Sequence, residues 1–138
     1  MISREAYQEK KKKLISQVKL LKNNGTLALN KKTSNLFRHR NQKQMRRIDV
    51  RKFNNVIDVD TKNGIAEVEG MTTYDELVRE TLRKGFLPTV VPQLKSITIG
   101  GATTGVGIES SSFKFGLVHE TILEVEIILS DGSVVVAT

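Results

Sequence analysis

Residues 96–116 read SITIGGATTGVGIESSSFKFG, and this stretch limits the fold more than any other because Gly100, Gly101, Gly105 and Gly107 fall so close together. Glycine loses more conformational freedom on folding than any other residue. A cluster therefore predicts positive φ values or a ligand pressed against the main chain. The expected conformation is an irregular loop whose successive N–H groups form an anion-binding concavity.

The sequence around that loop alternates short elements. Residues 4–25 carry Ala6, Tyr7, Leu14, Val18 and Leu21 at near-helical spacing, with Asn23, Asn24 and Gly25 as an end signal, which predicts a basic amphipathic helix. TLALN at 26–30 and IDV at 48–50 are strand candidates, and the polar stretch between them has no clear period. VIDVD at 56–60 and IAEVEG at 65–70 alternate apolar and polar residues around a turn ending in Asn63 and Gly64, the pattern of a hairpin. Thr73 followed by Glu76 predicts a capping box that opens a helix with Tyr74, Leu77, Val78 and Leu82 on one face. Gly85 stops that helix, and Tyr74 and Phe86 are expected to serve packing. FLPTVVPQLKSITIGG is expected to run extended into the glycine region, and VHETILEVEIILSDGSVVVAT to form two strands about an Asp131-Gly132 turn. The apolar terminal strand expects a partner, either earlier in the chain or in a domain that continues past residue 138.

Several function classes drop out on composition. The chain has 138 residues, no cysteine and two histidines, so neither a thiolate metal site nor a disulfide framework is available. No run approaches the ~20 apolar residues of a membrane span, and the N-terminus lacks a secretory signal, so a cytoplasmic protein is expected. Charge is uneven: residues 1–52 hold 16 Lys and Arg against 3 acids, whereas 53–138 hold 6 against 12. Such a basic segment suits an anionic partner. It lacks the aromatic platforms and recognition motifs of nucleic-acid folds, which argues against nucleic acid. Arg38 or Arg40 meeting a cofactor pyrophosphate, or peripheral contact with acidic lipid, fits it better.

Three phosphate-binding patterns compete for the glycine region. A Rossmann fingerprint starting at Gly105 would need a third glycine where Ser110 stands, and a helix where 110–122 shows no helical period. A P-loop needs a Gly-Lys-Ser/Thr triplet, which is absent. A non-Rossmann flavin loop fits the residue chemistry.

The run GVGIESSSFKFGL at 105–117, preceded by LKSITIGG and followed by LSDGSVV, resembles the FAD-binding domain of the Δ24-sterol reductase family, within the vanillyl-alcohol-oxidase or PCMH-type flavoproteins. GIESSS is the most specific piece, and the resemblance extends over most of the chain. It implies an α+β fold, the N-terminal part of a PCMH-type FAD-binding domain with mixed sheets and flanking helices. The corresponding organisation is a basic helix over 1–25 and the FAD-binding unit over 26–138, incomplete at its C-terminus. It further implies non-covalent FAD held by Thr98, Ile99, Gly100, Gly101, Ala102, Thr103, Thr104, Gly105, Val106, Gly107, Ile108, Glu109, Ser110 and Ser111, with Phe115-Gly116 as the family's aromatic-glycine pair. The implied activity is a flavin-dependent C=C reduction with NADPH as a candidate reductant, on an apolar or alcohol-type substrate gripped by protein outside this chain. An FAD-linked oxidase of alcohols, aldehydes or lactones, or a non-catalytic module binding nucleotide or a partner chain, are the alternatives. This chain departs from the wider type at 31–38, where KKTSNLFR replaces a glycine-rich pyrophosphate loop, and at Gln93, Lys95 and Ser96, where relatives carry acids. Glu109 is an odd neighbour for a pyrophosphate unless it pairs with a base or ribose hydroxyl. His39, amid arginines, reads as solvent-facing rather than a covalent flavin anchor, and His119 as structural.

Overall fold

The computed structural model describes residues 1–21, 27–31 and 46–138. The polar stretch 32–45, with Arg38, His39 and Arg40, lies outside the described residues. Helix α1 spans Arg4–Leu21, followed by strands β1 (Leu27–Asn30) and β2 (Arg46–Asp49), which pair in parallel with Leu29 opposite Ile48. Strands β3 (Val56–Asp60) and β4 (Ile65–Val68) form the antiparallel hairpin that the alternation predicts, and Gly64 takes φ +68° in its turn. Helix α2 (Tyr74–Leu82) follows, then α3 (Ile99–Thr104), α4 (Ser112–Phe115) and a 3₁₀ turn at Val118–Thr121. Strands β5 (Val125–Ile128) and β6 (Val134–Ala137) close the described chain as an antiparallel hairpin. This is an α+β arrangement of two-stranded sheets with helices packed around them.

Among the described residues two apolar cores organise these elements. The larger joins Val56 and Val59 of β3, Tyr74 and Leu77 of α2, Val90, Ile99 and Ala102 of α3, and Val118 of the 3₁₀ turn. The smaller gathers Val18 of α1, Ile48 and Val50 with Leu14, Leu21, Leu27, Phe53, Met71 and Ile128 around them. The basic helix is thus fastened by its apolar stripe, and its charges reinforce the seat. Lys10 lies 2.5 Å from Glu69 Oε1, a side chain with no exposure, while the other Glu69 oxygen accepts from the backbone and side-chain nitrogens of Asn55 at 2.9 and 2.8 Å. Tyr7 donates to Glu126 Oε1 at 2.5 Å and Lys11 to Glu126 Oε2 at 2.8 Å, tying α1 to β5.

The second helix forms close to expectation. Thr73 Oγ1 accepts from the Glu76 amide at 3.3 Å, while the Glu76 carboxylate pairs with Arg79 at 2.9 Å, so only half of the capping box is made. Leu82, expected on the apolar face, is exposed, and Thr81 is buried in its place with its hydroxyl donating to the Leu77 carbonyl. Phe86 is also partly exposed rather than packed. Gly85 sits at φ +81° just past the helix, as a stop residue should.

The glycine region differs more. Its first part is the helix α3, not an irregular loop, and residues 112–121, which show no helical period, form α4 and the 3₁₀ turn, so the final strand pair starts at Val125 rather than near Val118. Local capping explains α3: Thr98 Oγ1 accepts from Gly101 N at 3.2 Å, and Ile99 and Ala102, three apart, bury on one face. The gain from that burial and cap outweighs the poor propensity of two glycines.

Candidate functional site

The glycine segment is anchored by antiparallel pairing against the residues that lead into α2. Ile99 N donates to Thr72 O at 2.8 Å, Tyr74 N to Ile97 O at 3.0 Å, and Gly100 N to Gly70 O at 2.9 Å. None of Gly100, Gly101, Gly105 and Gly107 has a positive φ, contrary to the expectation from their clustering. Their role is to let the chain approach itself. A Cβ on Gly100 would stand 2.8 Å from Gly70 O, one on Gly105 2.8 Å from Gly101 O, and one on Gly107 3.0 Å from Val118 Cγ2. The residue that does take a positive φ is Val106, at +53°. A β-branched side chain is rarely found there, and such strain concentrates where a site over-determines the backbone.

The turn that follows α3, residues 105–111, has a distinctive hydrogen-bond inventory. Gly105 N, Gly107 N and Glu109 N donate to Gly101 O, Ala102 O and Ser112 Oγ at 2.9, 3.0 and 3.0 Å. The amides of Val106, Ile108, Ser110 and Ser111 have no acceptor among the described residues. These free donors lie on an exposed ridge, with Val106 53% and Ile108 72% exposed. A run of unpaired amides in a turn is a ready anion site.

The remaining nominated residues divide by what they already do. Ile99 and Ala102 fill the core, so their side chains face away from any surface ligand. The hydroxyls of Thr103, Thr104 and Ser111 donate to the carbonyls of Ile99, Gly100 and Thr89, at 2.8, 2.8 and 2.9 Å. The Ser111 bond ties the turn to the segment after α2. Glu109 is half-buried, and its carboxylate has neither a hydrogen bond nor an ion pair among the described residues. Gly116, at φ +79°, lets Leu117 N donate to Glu120 Oε2 at 2.6 Å and ends the region.

Away from the turn, an open groove of about 550 Å³ is lined by Lys10, Asp49, Arg51, Lys52, Asn54 and Asn55. Its charges are largely engaged within the protein. Arg51 holds Asp49 at 2.6 Å, and this hydrogen bonding lowers the Asp49 carboxyl to about 2, while Lys10 is committed to Glu69 and to the Lys52 carbonyl. No group of three or more His, Cys, Asp and Glu side chains could hold a metal among the described residues. Nor is any described helix long and apolar enough to cross a membrane.

Comparison with known proteins gives the family of the chain as a whole. A family model described as an FAD binding domain matches residues 6–138. The chain belongs to this family of FAD-binding domains. The match starts within α1, so the FAD-binding domain takes in the basic helix and both cores. The domain is 41% identical over 91 residues to the Delta(24)-sterol reductase of Pisum sativum, which covers 66% of this chain and 16% of that protein. It is 39% identical over 83 residues to the Delta(24)-sterol reductase of Homo sapiens, covering 60% of this chain and 16% of that protein. Cytokinin dehydrogenase 1 of Arabidopsis thaliana is 30% identical over 74 residues, covering 54% of this chain and 13% of that protein. The stretch shared with the sterol reductases is thus 16% of their length.

The site fits a flavin dinucleotide on its donor chemistry. Phosphate oxygens accept and never donate, and unpaired amides are the donors the turn 105–111 supplies.

Proposed function

We propose that this FAD-binding domain grips the cofactor through the turn at 105–111 and serves a flavin-dependent oxidoreductase of the sterol-reductase type. The single observation that carries the reading is the set of unpaired amides at Val106, Ile108, Ser110 and Ser111, held in place by the strained Val106 and the internal bonds on either side. When bound, FAD supplies the hydride chemistry. The chain contributes a rigid seat. The amides of Ile99 and Gly100 and the close approach of Gly100 to Gly70 fix α3 against 70–74, Thr98 caps that helix, Gly107 packs on Val118, and the Ser111 bond to Thr89 holds the turn against the segment after α2.

In this reading the fold is of the PCMH type, with residues 26–138 as the cofactor-holding unit and α1 (Arg4–Leu21) clamped onto it. NADPH as reductant and an apolar substrate carrying a C=C bond belong to the same proposal, which the likeness to the two sterol reductases supports. Exposed apolar side chains, among them Ile108, Phe113 and the valines of β6, are what a domain that closes against further protein displays.

The test is flavin retention, read as visible absorbance after incubation with FAD and desalting. Valine at Gly100 and Gly101 would be a poor probe, because a Cβ at 100 already meets the Gly70 backbone and a fold defect would mimic a binding defect. Ser111→Pro is better: Ser111 has φ −84°, near proline's range, and its amide is unpaired. Ser111→Ala controls for the lost hydroxyl. Flavin held by the parent and the alanine variant but lost from the proline variant supports the turn as the site, and a folded parent that retains no flavin refutes it.

A further inference from the structure

The turn between β3 and β4 carries a motif that cofactor binding does not use, Asn63 followed by Gly64. Asp60, which ends β3, pairs with Ile65, which opens β4, and the turn residues 61–64 project from that pair, all of them exposed. Asp60 organises the turn. Its Oδ1 accepts from the amides of Lys62 and Asn63 at 2.9 and 3.1 Å, and its Oδ2 accepts from the side-chain nitrogen of Asn63 at 2.6 Å. The next amide along, Gly64 N, has no acceptor among the described residues. Gly64 takes φ +68°, and nothing lies within 4 Å of the place a Cβ would occupy. A backbone nitrogen thus stands unpaired and unshielded, one residue from a carboxamide that water can reach.

We propose that Asn63 is a site of spontaneous deamidation, and that the loss of its carboxamide frees the hairpin turn from Asp60. Gly64 N gives its proton to hydroxide and bonds to Asn63 Cγ; the Cγ–Nδ2 bond breaks and ammonia leaves. The five-membered succinimide so formed takes up one water at either of its carbonyls. One opening gives aspartate and the other isoaspartate, in which the main chain runs through Cβ. Water is the co-reactant, and no electrons change hands. Glycine at 64 favours ring closure because no Cβ crowds the attacking nitrogen and its backbone swings freely. The neighbouring asparagines at 54 and 55 lack this arrangement. Asn54 precedes Asn55, while Asn55 precedes the β-branched Val56 and donates its side-chain nitrogen to Glu69 at 2.8 Å.

The product inverts the contact that holds the turn. A carboxamide nitrogen donates, whereas an ionised carboxylate only accepts, so conversion sets a like charge against Asp60 Oδ2 where a donor stood. Isoaspartate also lengthens a turn whose size fixes the register of the two strands. Val56 and Val59 of β3 belong to the larger core, so a loosened hairpin weakens that core from its edge.

The full chain, its Asn63→Gln variant and the urea-unfolded parent are held in warm, mildly alkaline buffer for several days and mapped by peptide mass spectrometry. In the folded parent the peptide carrying residue 63 is expected to show the mass gain of amide-to-acid exchange, divided between aspartate and isoaspartate, ahead of the peptide carrying Asn54 and Asn55. The Asn63→Gln variant should keep its mass there. Asn63→Asp, which makes one product directly, should melt roughly 4 °C below the parent, the scale of one hydrogen bond to a charged group. Exchanging the pair, Asp60→Asn with Asn63→Asp, restores a donor facing an acceptor and should recover most of that fall, since the new side chain at 60 still offers an oxygen to the amides of residues 62 and 63. A residue-63 peptide that keeps its mass while the unfolded parent converts, or that converts no sooner than the Asn54 and Asn55 peptide, overturns the site. An Asn63→Asp protein that melts with the parent overturns its effect on the hairpin. Flavin enters none of these readouts, so the FAD reading is tested separately.

Discussion

Replacing Gly100 with alanine tests how the glycine region is built. In a helix, Gly→Ala normally stabilises by about 0.5–1 kcal/mol. Here the new Cβ would stand 2.8 Å from Gly70 O and 3.4 Å from both Gly70 C and Gly70 Cα. The oxygen is backbone, and it already accepts from Gly100 N at 2.9 Å, so it cannot retreat without stretching that bond. Overpacking of this kind costs about 1–3 kcal/mol, and weakening the hydrogen bond adds about 1 kcal/mol. Taking ~2 and ~1 against a propensity gain of ~1 leaves a net loss of about 2 kcal/mol. For a chain of this length that corresponds to a fall in Tm of roughly 7 °C. Circular-dichroism melts would read it, with Gly70→Ala as the control, because a Cβ there meets nothing within 4 Å. The control should stay within about 0.5 kcal/mol of the parent. A Gly100→Ala protein that melts at or above the parent temperature would show that the close approach to Gly70 does not constrain the fold.

Other perturbations follow from the same structure. Val106→Gly releases the +53° strain and should raise stability in urea denaturation by about 1 kcal/mol, the cost of a sparsely allowed backbone less the entropy of glycine. Lys10→Met leaves the Glu69 carboxylate buried without its counter-charge and should destabilise by about 3 kcal/mol, with the companion Glu69→Gln recovering part of that loss in the double variant. Acid should loosen α1 from β5. Burial works to raise the Glu126 carboxyl, but hydrogen bonds from Lys11 and Tyr7 and the Lys11 charge leave it below its ordinary 4.5, so its stabilisation is full above 4.5 and fades as pH falls through the lowered value. Tyr7 titrates the other way: burial and Glu126 raise it, so its share is full below 10 and disappears only as strong alkali removes the proton. Melts across pH, alongside a Glu126→Gln variant that flattens the acid limb, check both.

The elements most legible in the sequence were those set by short-range rules. The β3–β4 hairpin follows from alternation and a glycine at positive φ, and α2 follows from a threonine cap and a glycine stop. The family, too, was legible in GIESSS and its flanks, and the FAD-binding match spans residues 6–138. The conformation of the glycine run was not. Glycine content signals permissiveness but not its cause, and here the cause is contact at long range: Gly70 against Gly100, Val118 against Gly107. The strained position fell on Val106, which no propensity rule would select. The short helices were hidden for a related reason. Four to six residues give no period to read, and their stability comes from a capping hydroxyl and a few buried side chains.

The division of the apolar interior into two clusters carries a dynamic consequence. The glycine turn is rooted in the cluster of β3, α2 and α3, whereas α1 shares the other with Ile128 at the end of β5 and touches Gly132 through the stem of Lys19. Helix and terminal hairpin therefore tend to open as one cooperative unit, and amide exchange in β5 and β6 should keep pace with that in α1 rather than with that in α3. The two clusters still communicate, through the covalent turn at 69–72 and through Glu69 within it, which bonds Asn55 beside β3 and holds Lys10 of α1. A loosened first helix is thus felt at β3, the strand whose Val56 and Val59 share a core with Ile99 and Ala102 of α3.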